Sequence, residues 1–206
     1  ADATGEEAAA AGARVIRHRS NMGKGAALAT GFSDLLSRGA GAIVTLDADG
    51  QHDPAEIPRF LEAWRRGGAD LIVGARAGAL DGMSPLRRFG NRFSTRAVRF
   101  FGGPDLPDTQ CGFRLYTRRF LEAVEFRRRA YDAEAEILML ARAGGFRVAS
   151  VSVRCPDPDG RGTSHYRPWL DTYRMCRTVV LCSLFGGRNQ LKLPVASHRT
   201  ERTSGT

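Results

Sequence analysis

The sequence predicts an α/β fold in which a mainly parallel sheet is flanked by helices. Short β-branched apolar runs near glycines, at residues 42–46 and 71–73, are typical of buried strands in such a sheet. Between them, Asp53-Pro54-Ala55-Glu56 combines an N-cap acid, proline at the first helical position and glutamate at the third. We therefore interpret Asp53 as a helix cap. The order strand, helix, strand predicts a right-handed parallel crossover.

The same reasoning locates the other elements. Short strands are predicted at residues 14–17 and 146–153, and a loop that runs into a strand at 108–116. Helices are predicted at residues 5–12, from Asn21 onward, and at 57–66, 84–101, 131–143 and 169–185. We expect one domain over residues 1–185 and a polar, disordered tail over residues 186–206.

Composition restricts the partners and the compartment. The formal net charge of +9 comes almost wholly from arginine, which favours phosphates, anionic lipids or nucleic acid. The four cysteines have neither C-x-x-C nor zinc spacing, so reduced thiols and a cytoplasmic location are predicted. The longest apolar run near the C-terminus, residues 178–185, is far below the roughly 20 residues of a membrane-spanning helix.

Two carboxylates follow the first clear strand. Asp47 and Asp49 are two residues apart, so an extended backbone would point them to the same side, with Gln51 able to join them. A hard divalent cation relieves the repulsion between converging carboxylates. Phosphate oxygens of a substrate then complete its coordination shell. The sequence thus predicts a Mg²⁺ or Mn²⁺ site at Asp47, Asp49 and Gln51. The alternative is an ordinary polar turn.

Other charged residues lie at predicted element ends, and each has a second interpretation. Lys24 opens a helix whose amino end suits a phosphate, or is a solvated lysine. Arg76 follows the strand at residues 71–73, whose carboxyl end faces the same crevice. Asp108 and Arg114 are chemical candidates or an ordinary salt bridge. Asp132 and Glu134 begin a helix, where capping is the alternative role.

The helix predicted at residues 84–101 has a basic and aromatic character. Its phenylalanines share one side, whereas its arginines lie elsewhere on the surface. Such a helix can lie on a membrane surface. A core helix with a solvated arginine face explains the pattern equally well. Further along, residues 156–168 form a Gly/Pro/Arg loop long enough to be functional.

Six motifs occur in one order: N-x-G-K-G-A, D-A-D-G-Q-H-D-P, G-A-R, D-T-Q-C-G-F-R, Y-D-A-E and S-H-Y-R-P. Together they resemble family 2 glycosyltransferases over residues 1–182, in the branch of the dolichol-phosphate mannosyltransferases and polyprenyl-phosphate glycosyltransferases. The resemblance implies a GT-A fold, a nucleotide-sugar donor and transfer with inversion to a lipid phosphate or a glycan, at the cytoplasmic face of a membrane. It also implies Mg²⁺ or Mn²⁺ at Asp47, Asp49 and Gln51.

The same resemblance implies roles for individual residues. It places on the acceptor side, as catalytic residues, Asp108, Arg114, Asp132 and Glu134. It places in contact with substrate, several of them near phosphates, Lys24, Asp47, Arg76, Gln110, Arg161, Ser164 and Arg167. An acceptor phosphate needs no strong base, whereas an acceptor hydroxyl would need Asp108 or Asp132 as base.

One departure from the family pattern concerns the first residues. The family begins with two strands that hold the nucleoside, whereas this sequence opens at Ala1, just after the second of them. We therefore expect an N-terminally truncated domain, weak donor binding and exposed apolar surface.

Three alternatives remain at the level of sequence. The chain could be an inactive or weakly active fragment of such an enzyme. It could be a sugar nucleotidyltransferase, which would release pyrophosphate instead of a nucleoside diphosphate. It could be a basic nucleic-acid-binding module, although no helix-turn-helix, zinc-finger or RNA-binding signature is present and the charge supports only non-specific contact.

Overall fold

The computed structural model describes residues 3–76, 85–125, 132–154 and 168–185. The helices in this part of the chain are α1 (Thr4–Ala10), α2 (Lys24–Ser37), α3 (Ile57–Arg65), α4 (Pro85–Phe100), α5 (Arg118–Ala123), α6 (Ala133–Ala143) and α7 (Pro168–Phe185). The strands are β1 (Ala42–Thr45), β2 (Leu71–Arg76), β3 (Arg114–Thr117) and β4 (Val148–Val153), and a 3₁₀ turn covers Pro54–Glu56. The predicted α/β class is confirmed.

The four strands form one sheet in the order β1-β3-β2-β4. Strands β1 and β2 both run antiparallel to β3, so they point the same way, as the strand–helix–strand order predicted. Strand β4 is parallel to β2. The sheet is therefore mixed: β1, β2 and β4 share one direction, and β3 runs against them between β1 and β2. No local pattern in the sequence reports that insertion, since pairing is decided by distant residues.

The core lies on both sides of the central strand β2. Its residues Leu71, Ile72 and Val73 are fully buried, which explains their continuous apolar run. Phe60 of α3 stacks on Phe113 with ring centroids 4.5 Å apart, so it joins helix and sheet. Helix α6 is buried along most of its length, from Ala133 to Ala141. This packing fixes the ends of β1, β2 and β3 relative to one another.

One prediction about elements is wrong, and one helix was missed. Residues 14–17 form no strand, and Val15 and Ile16 remain 36% and 45% exposed, because among the described residues no strand pairs with them. Helix α5 was not predicted. It is capped by Thr117, whose hydroxyl oxygen accepts a hydrogen bond from the N–H of Phe120 at 3.3 Å.

Other predictions about elements stand as follows. The N-cap role of Asp53 is confirmed, since its carboxylate accepts the N–H of Ala55 at 2.9 Å. The tail at 186–206 and nearly all of the loop at 156–168 lie outside the described residues. Within the described ranges, no helix is both long and apolar enough to cross a bilayer.

Candidate active site

The acidic motif lies on a turn just beyond the end of β1. The backbone turns at residues 48–51, where Gly50 has φ of 81°, a value that side-chain-bearing residues rarely adopt. The carboxylate of Asp49 accepts the N–H of Gln51 at 3.1 Å. The expectation of an extended segment, with Gln51 aligned with the acids by simple alternation, is therefore wrong. Asp47 and Asp49 are instead presented on a closed turn.

Lys24 joins this turn to helix α6. Its ammonium lies 2.8 Å from Oδ1 of Asp47 and 2.6 Å from Oε1 of Glu134. Burial acts to lower the pKa of Lys24, but the carboxylates of Glu134 and Asp47 outweigh it and raise the pKa above the usual lysine value. The first residue of α2 therefore carries a permanent positive charge beside Asp47.

The donor set of the turn fits a hard divalent cation that is shared with a substrate. Asp47, Asp49 and Gln51 offer carboxylate and amide oxygens, which are the ligands that Mg²⁺ and Mn²⁺ prefer. Within the described ranges, no group of three or more His, Cys, Asp or Glu residues could enclose a metal. A cation bound at this turn would take its remaining ligands from water or phosphate oxygens.

Arg76 and Asp108 form a buried ion pair near the same crevice. Nε of Arg76 donates to Oδ2 of Asp108 at 2.6 Å, and Nη2 of Arg76 donates to Oδ1 at 3.1 Å. The carboxylate also accepts the side-chain amide of Asn91 at 3.1 Å and the N–H of Gln110 at 3.0 Å. Burial acts to raise the pKa of Asp108, but Arg76 and these hydrogen bonds outweigh it, so the pKa is lowered. Asp108 is therefore a weak proton acceptor.

Arg114 supports the loop that leads into β3. Its side chain is completely buried, and its three nitrogens donate to the backbone oxygens of Cys111 at 2.7 Å, Thr109 at 2.9 Å and Glu134 at 3.0 Å. The Glu134 carboxylate lies 3.9 Å away and balances the charge. In this arrangement the guanidinium reaches protein backbone and one carboxylate rather than open solvent.

Of the remaining predicted site residues, Asp132 and Gln110 lie in the described part of the chain and three others do not. Asp132 occupies the N-cap position of α6 without a side-chain hydrogen bond to the helix, and it accepts the hydroxyl of Thr178 on α7 at 3.0 Å. Gln110 donates its side-chain amide to Ser94 of α4 at 3.0 Å. Outside the described residues lie Arg161, Ser164 and Arg167.

Three residues at the site received no role from the sequence. His52 accepts the N–H of Asp47, Cys111 lies beside His52, and Gly112 packs against the Asp47 carboxylate. All three lie inside motifs already recognised, D-A-D-G-Q-H-D-P and D-T-Q-C-G-F-R, and that position was the only available signal. Asn91 is a fourth such residue, and it lies on the buried face of α4, opposite the phenylalanines that form its apolar stripe.

The ring of His52 marks the centre of the charged groups. It is close enough to Asp47, Asp49, Arg76 and Lys24 for all four charges to affect its pKa. Burial, the largest influence, and the two cations lower the pKa of His52, and the two acids offset only part of this effect. Two acids and two cations therefore meet where β1 and β2 end.

Helix α4 lies beside this crevice and divides into two faces. Asn91, Ser94 and Val98 are buried against the protein. The outer face exposes Phe89 by 62% and Phe93 by 48%. A groove of about 400 Å³ on this face is lined by Pro85, Arg88, Phe89, Arg92, Phe93 and Arg96.

Sequence relatives include enzymes that act on lipid phosphates. The chain is 35% identical to the polyprenol monophosphomannose synthase of Mycolicibacterium smegmatis, over 68% of this chain and 54% of that protein. It is 27% identical to the UDP-N-acetylglucosamine–dolichyl-phosphate N-acetylglucosaminyltransferase of Methanococcus voltae, over 68% of this chain and 57% of that protein. The chain thus spans little more than half the length of these two relatives.

Solved structures share the fold. The glucosyl-3-phosphoglycerate synthase of Mycobacterium tuberculosis, in complex with Mn²⁺, UDP and phosphoglyceric acid, superposes with a TM-score of 0.63 at 21% identity, over 88% of this chain and 63% of that one. The same enzyme with Mg²⁺ and UDP gives a TM-score of 0.62 at 23% identity, over 90% and 65% of the chains. At this identity the likeness shows the fold alone, and it confirms the predicted GT-A architecture.

The family resemblance is settled by the sequence model described as glycosyl transferase family 2. That model matches residues 1–125, which contain the acidic turn, Lys24 and the ion pair of Arg76 with Asp108. This chain belongs to glycosyl transferase family 2.

Proposed function

We propose that this chain transfers a sugar, with inversion, from a nucleoside diphosphate donor to a polyprenyl phosphate. The observation that carries the proposal is the contact of the Lys24 ammonium with Asp47 at 2.8 Å, together with Arg76 held by Asp108 at the end of β2. A departing nucleoside diphosphate gathers negative charge, and cations held in advance stabilise such charge without a proton donor. The names of the two lipid-phosphate relatives support the choice of acceptor.

The donor diphosphate would bind at the acidic turn. Asp47, Asp49 and Gln51 would hold Mg²⁺ or Mn²⁺, which supplies positive charge to the leaving group when bound. Lys24 stays charged 2.8 Å from Asp47 and would add a protein cation at that point. In this proposal Glu134 orients Lys24 through their 2.6 Å ion pair and does not touch the sugar.

The acceptor phosphate would bind on the side of Arg76. Asp108 is engaged by Arg76, Asn91 and Gln110, so it positions the arginine and is poorly suited to act as a base. A phosphate acceptor is already a nucleophile and needs no base, which agrees with this geometry. In the same proposal Arg114 holds the loop that precedes β3. Further contacts with phosphate would come from Arg161, Ser164 and Arg167.

The reaction is tested by product analysis of the full-length protein with radiolabelled nucleotide-sugars and a polyprenyl phosphate. We expect glycosyl-lipid and free nucleoside diphosphate, and a loss of about 100-fold or more in Asp49→Asn. Asp105→Asn, a change at a side chain 68% exposed, is the matched control. Release of pyrophosphate would instead identify a nucleotidyltransferase, and no product from any donor would favour an inactive fragment.

We also propose that the outer face of α4 rests on an anionic membrane. Exposed phenylalanines and arginines alternate there, and this combination suits the boundary between acyl chains and acidic headgroups. Two copies of the face would bring their arginines together, so charge favours lipid over self-association. The opposite face of α4 contacts the loop of Asp108 through Asn91, which would keep a lipid acceptor close to Arg76.

Sedimentation with vesicles tests this contact. We expect binding to vesicles that contain phosphatidylglycerol, weak binding to phosphatidylcholine alone, and loss of binding in Phe89→Ser with Phe93→Ser. Arg92→Glu should also weaken binding, whereas Arg66→Glu just after α3, at a side chain 75% exposed, should not. Equal binding by all variants, or a dimer that these changes disrupt, would overturn the proposal.

A further inference from the structure

The backbone of Asp47 is held by a side chain rather than by the sheet. Strand β1 ends at Thr45, and the N–H of Asp47 donates to Nδ1 of His52 at 2.8 Å. This hydrogen bond closes the turn of residues 48–51 at its base. The His52 side chain lies in the interior, with the residue 8% exposed, so it is shielded from competing water.

The second nitrogen of His52 faces the loop that precedes β3. Because Nδ1 accepts a hydrogen bond, a neutral ring carries its proton on Nε2. That nitrogen lies 3.7 Å from Sγ of Cys111, a distance at which sulfur accepts weakly. The ring also lies against Phe113, with centroids 5.3 Å apart. One imidazole therefore connects the turn after β1 to the loop before β3.

We propose that His52 is a positioning residue that fixes the direction of Asp47 by accepting its N–H at Nδ1 and donating from Nε2 to Cys111. This inference rests on the proposed metal site of the turn. The carboxylate of Asp47 is drawn toward Lys24 at 2.8 Å, and the backbone must resist that pull if the acid is also to face a metal. Groups that orient metal ligands typically contribute 10–100-fold to affinity.

A direct chemical role for His52 fits the geometry less well. Its Nδ1 lone pair is used by a backbone N–H, and its Nε2 faces a sulfur. Burial raises the pKa of the Cys111 thiol to about 12, so this neighbour stays protonated and offers no anionic partner. A general base needs a lone pair directed at the reacting group. The interaction available to His52 is with the protein chain.

Three substitutions separate positioning from simple packing. Asn places its amide oxygen near the position of Nδ1, so His52→Asn keeps an acceptor for Asp47. Gln carries its oxygen nearer the position of Nε2, so His52→Gln does not. His52→Phe fills the volume without any acceptor. The matched control is His18→Asn, because His18 bonds to the side chain of Thr30 on α2 at 2.9 Å.

The first measurement needs no ligand. Long-range ¹⁵N correlation spectra of the 206-residue chain report which imidazole nitrogen of His52 carries the proton. We expect the Nε2–H tautomer, together with an Asp47 amide signal that shifts in His52→Phe and His52→Gln and moves much less in His52→Asn. A proton on Nδ1, or an Asp47 amide unaffected by all three changes, would overturn the proposal.

The second measurement follows Mn²⁺ in the presence of UDP by electron paramagnetic resonance of the full-length protein. We expect affinity to fall about 10-fold or more in His52→Phe and His52→Gln and to be largely rescued in His52→Asn. Equal affinity in all variants would contradict positioning even if the protein binds metal normally. A wild type without Mn²⁺ affinity but with the expected tautomer and Asp47 shift would count against the proposed metal site instead.

Discussion

Asp108 receives four hydrogen bonds, two of them from Arg76. The side chains of Asp108 and Arg76 are only 7% and 10% exposed, so each neutralises a charge that water does not reach. Removing one member of such a pair leaves the other without compensation. We expect Asp108→Asn to lower the free energy of unfolding by about 3–5 kcal/mol at pH 7, measured by urea denaturation. Asp105→Asn, at the exposed surface, should change it by less than about 0.5 kcal/mol.

The same pair predicts a pH dependence. The pKa of Asp108 is lower in the folded state than the unfolded value of about 3.9. Its contribution to stability is therefore complete above that unfolded pKa and is lost as the pH falls through the folded pKa. The difference in free energy of unfolding between wild type and Asp108→Asn should be constant from pH 7 to 5 and shrink below about pH 4. A difference that stays constant down to pH 3 would contradict the assignment.

Gly112 allows the loop before β3 to approach the acidic turn. A Cβ at this position would overlap Oδ2 of Asp47 and lie 3.0 Å from Nζ of Lys24. We expect Gly112→Ala to fold but to displace Asp47, with a loss of Mn²⁺ affinity of about 10-fold in electron paramagnetic resonance titrations. Gly31→Ala on α2 is the control, since a Cβ there meets nothing within 4 Å. Equal losses in both variants would show that the close approach is irrelevant.

Residue types at the site were predictable, whereas their partners were not. Lys24, Asp47 and Arg76 were chosen because charged residues at element ends can meet in an α/β crevice, whereas the roles of Asp108 and Glu134 followed from the family resemblance. The pairing of Lys24 with Glu134 joins residues far apart in sequence, and only the packing of α6 brings them together. The supporting side chains are harder to foresee, because histidine and cysteine carry no formal charge pattern.

Helix α3 begins where its sequence signals say, and this allows a prediction at the level of elements. Asp53 caps the 3₁₀ turn that leads into α3. We expect Asp53→Ala to lower the free energy of unfolding by about 1 kcal/mol, and Asp53→Asn by much less, since asparagine also caps. Mn²⁺ affinity should be unchanged in both, as measured by titration. A clear loss of metal affinity in Asp53→Ala would show that this acid is a ligand.

Local signals predicted helices better than they predicted strands. Helices α2, α3 and α4 carry apolar periodicity and recognisable ends within their own sequences. The segment at residues 14–17 has strand-like residues, but a strand exists only with a partner for its backbone groups. Helix α5 was missed because it follows β3 directly, with only Thr117 as its start signal.

At the scale of the whole molecule, the least predictable feature is the position of β3. It pairs with β1 on one side and β2 on the other, so it brings the loop of residues 108–113 between the two strand ends. The sequence places residues 47–52 and 108–113 in separate motifs. Their contact depends on an antiparallel insertion that no local periodicity encodes.

The buried guanidinium of Arg114 has a consequence for local opening. Residues 109–113 have no regular secondary structure, yet their carbonyls at Thr109 and Cys111 satisfy a charge that is shielded from water. Lifting this loop would leave that charge without two of its three backbone acceptors, so the loop should open only when the domain unfolds.

Hydrogen exchange can measure the opening of this loop, because two glutamine backbone amides each donate to the aspartate two residues earlier. The N–H of Gln110 donates to Oδ1 of Asp108 at 3.0 Å, and the N–H of Gln51 donates to Oδ1 of Asp49 at 3.1 Å. We expect the amide of Gln110 to exchange on the order of 100-fold more slowly, at the rate of the slowest core amides. Similar rates would mean that the loop opens independently of global unfolding, and that its order beside the acidic turn must come from a bound ligand.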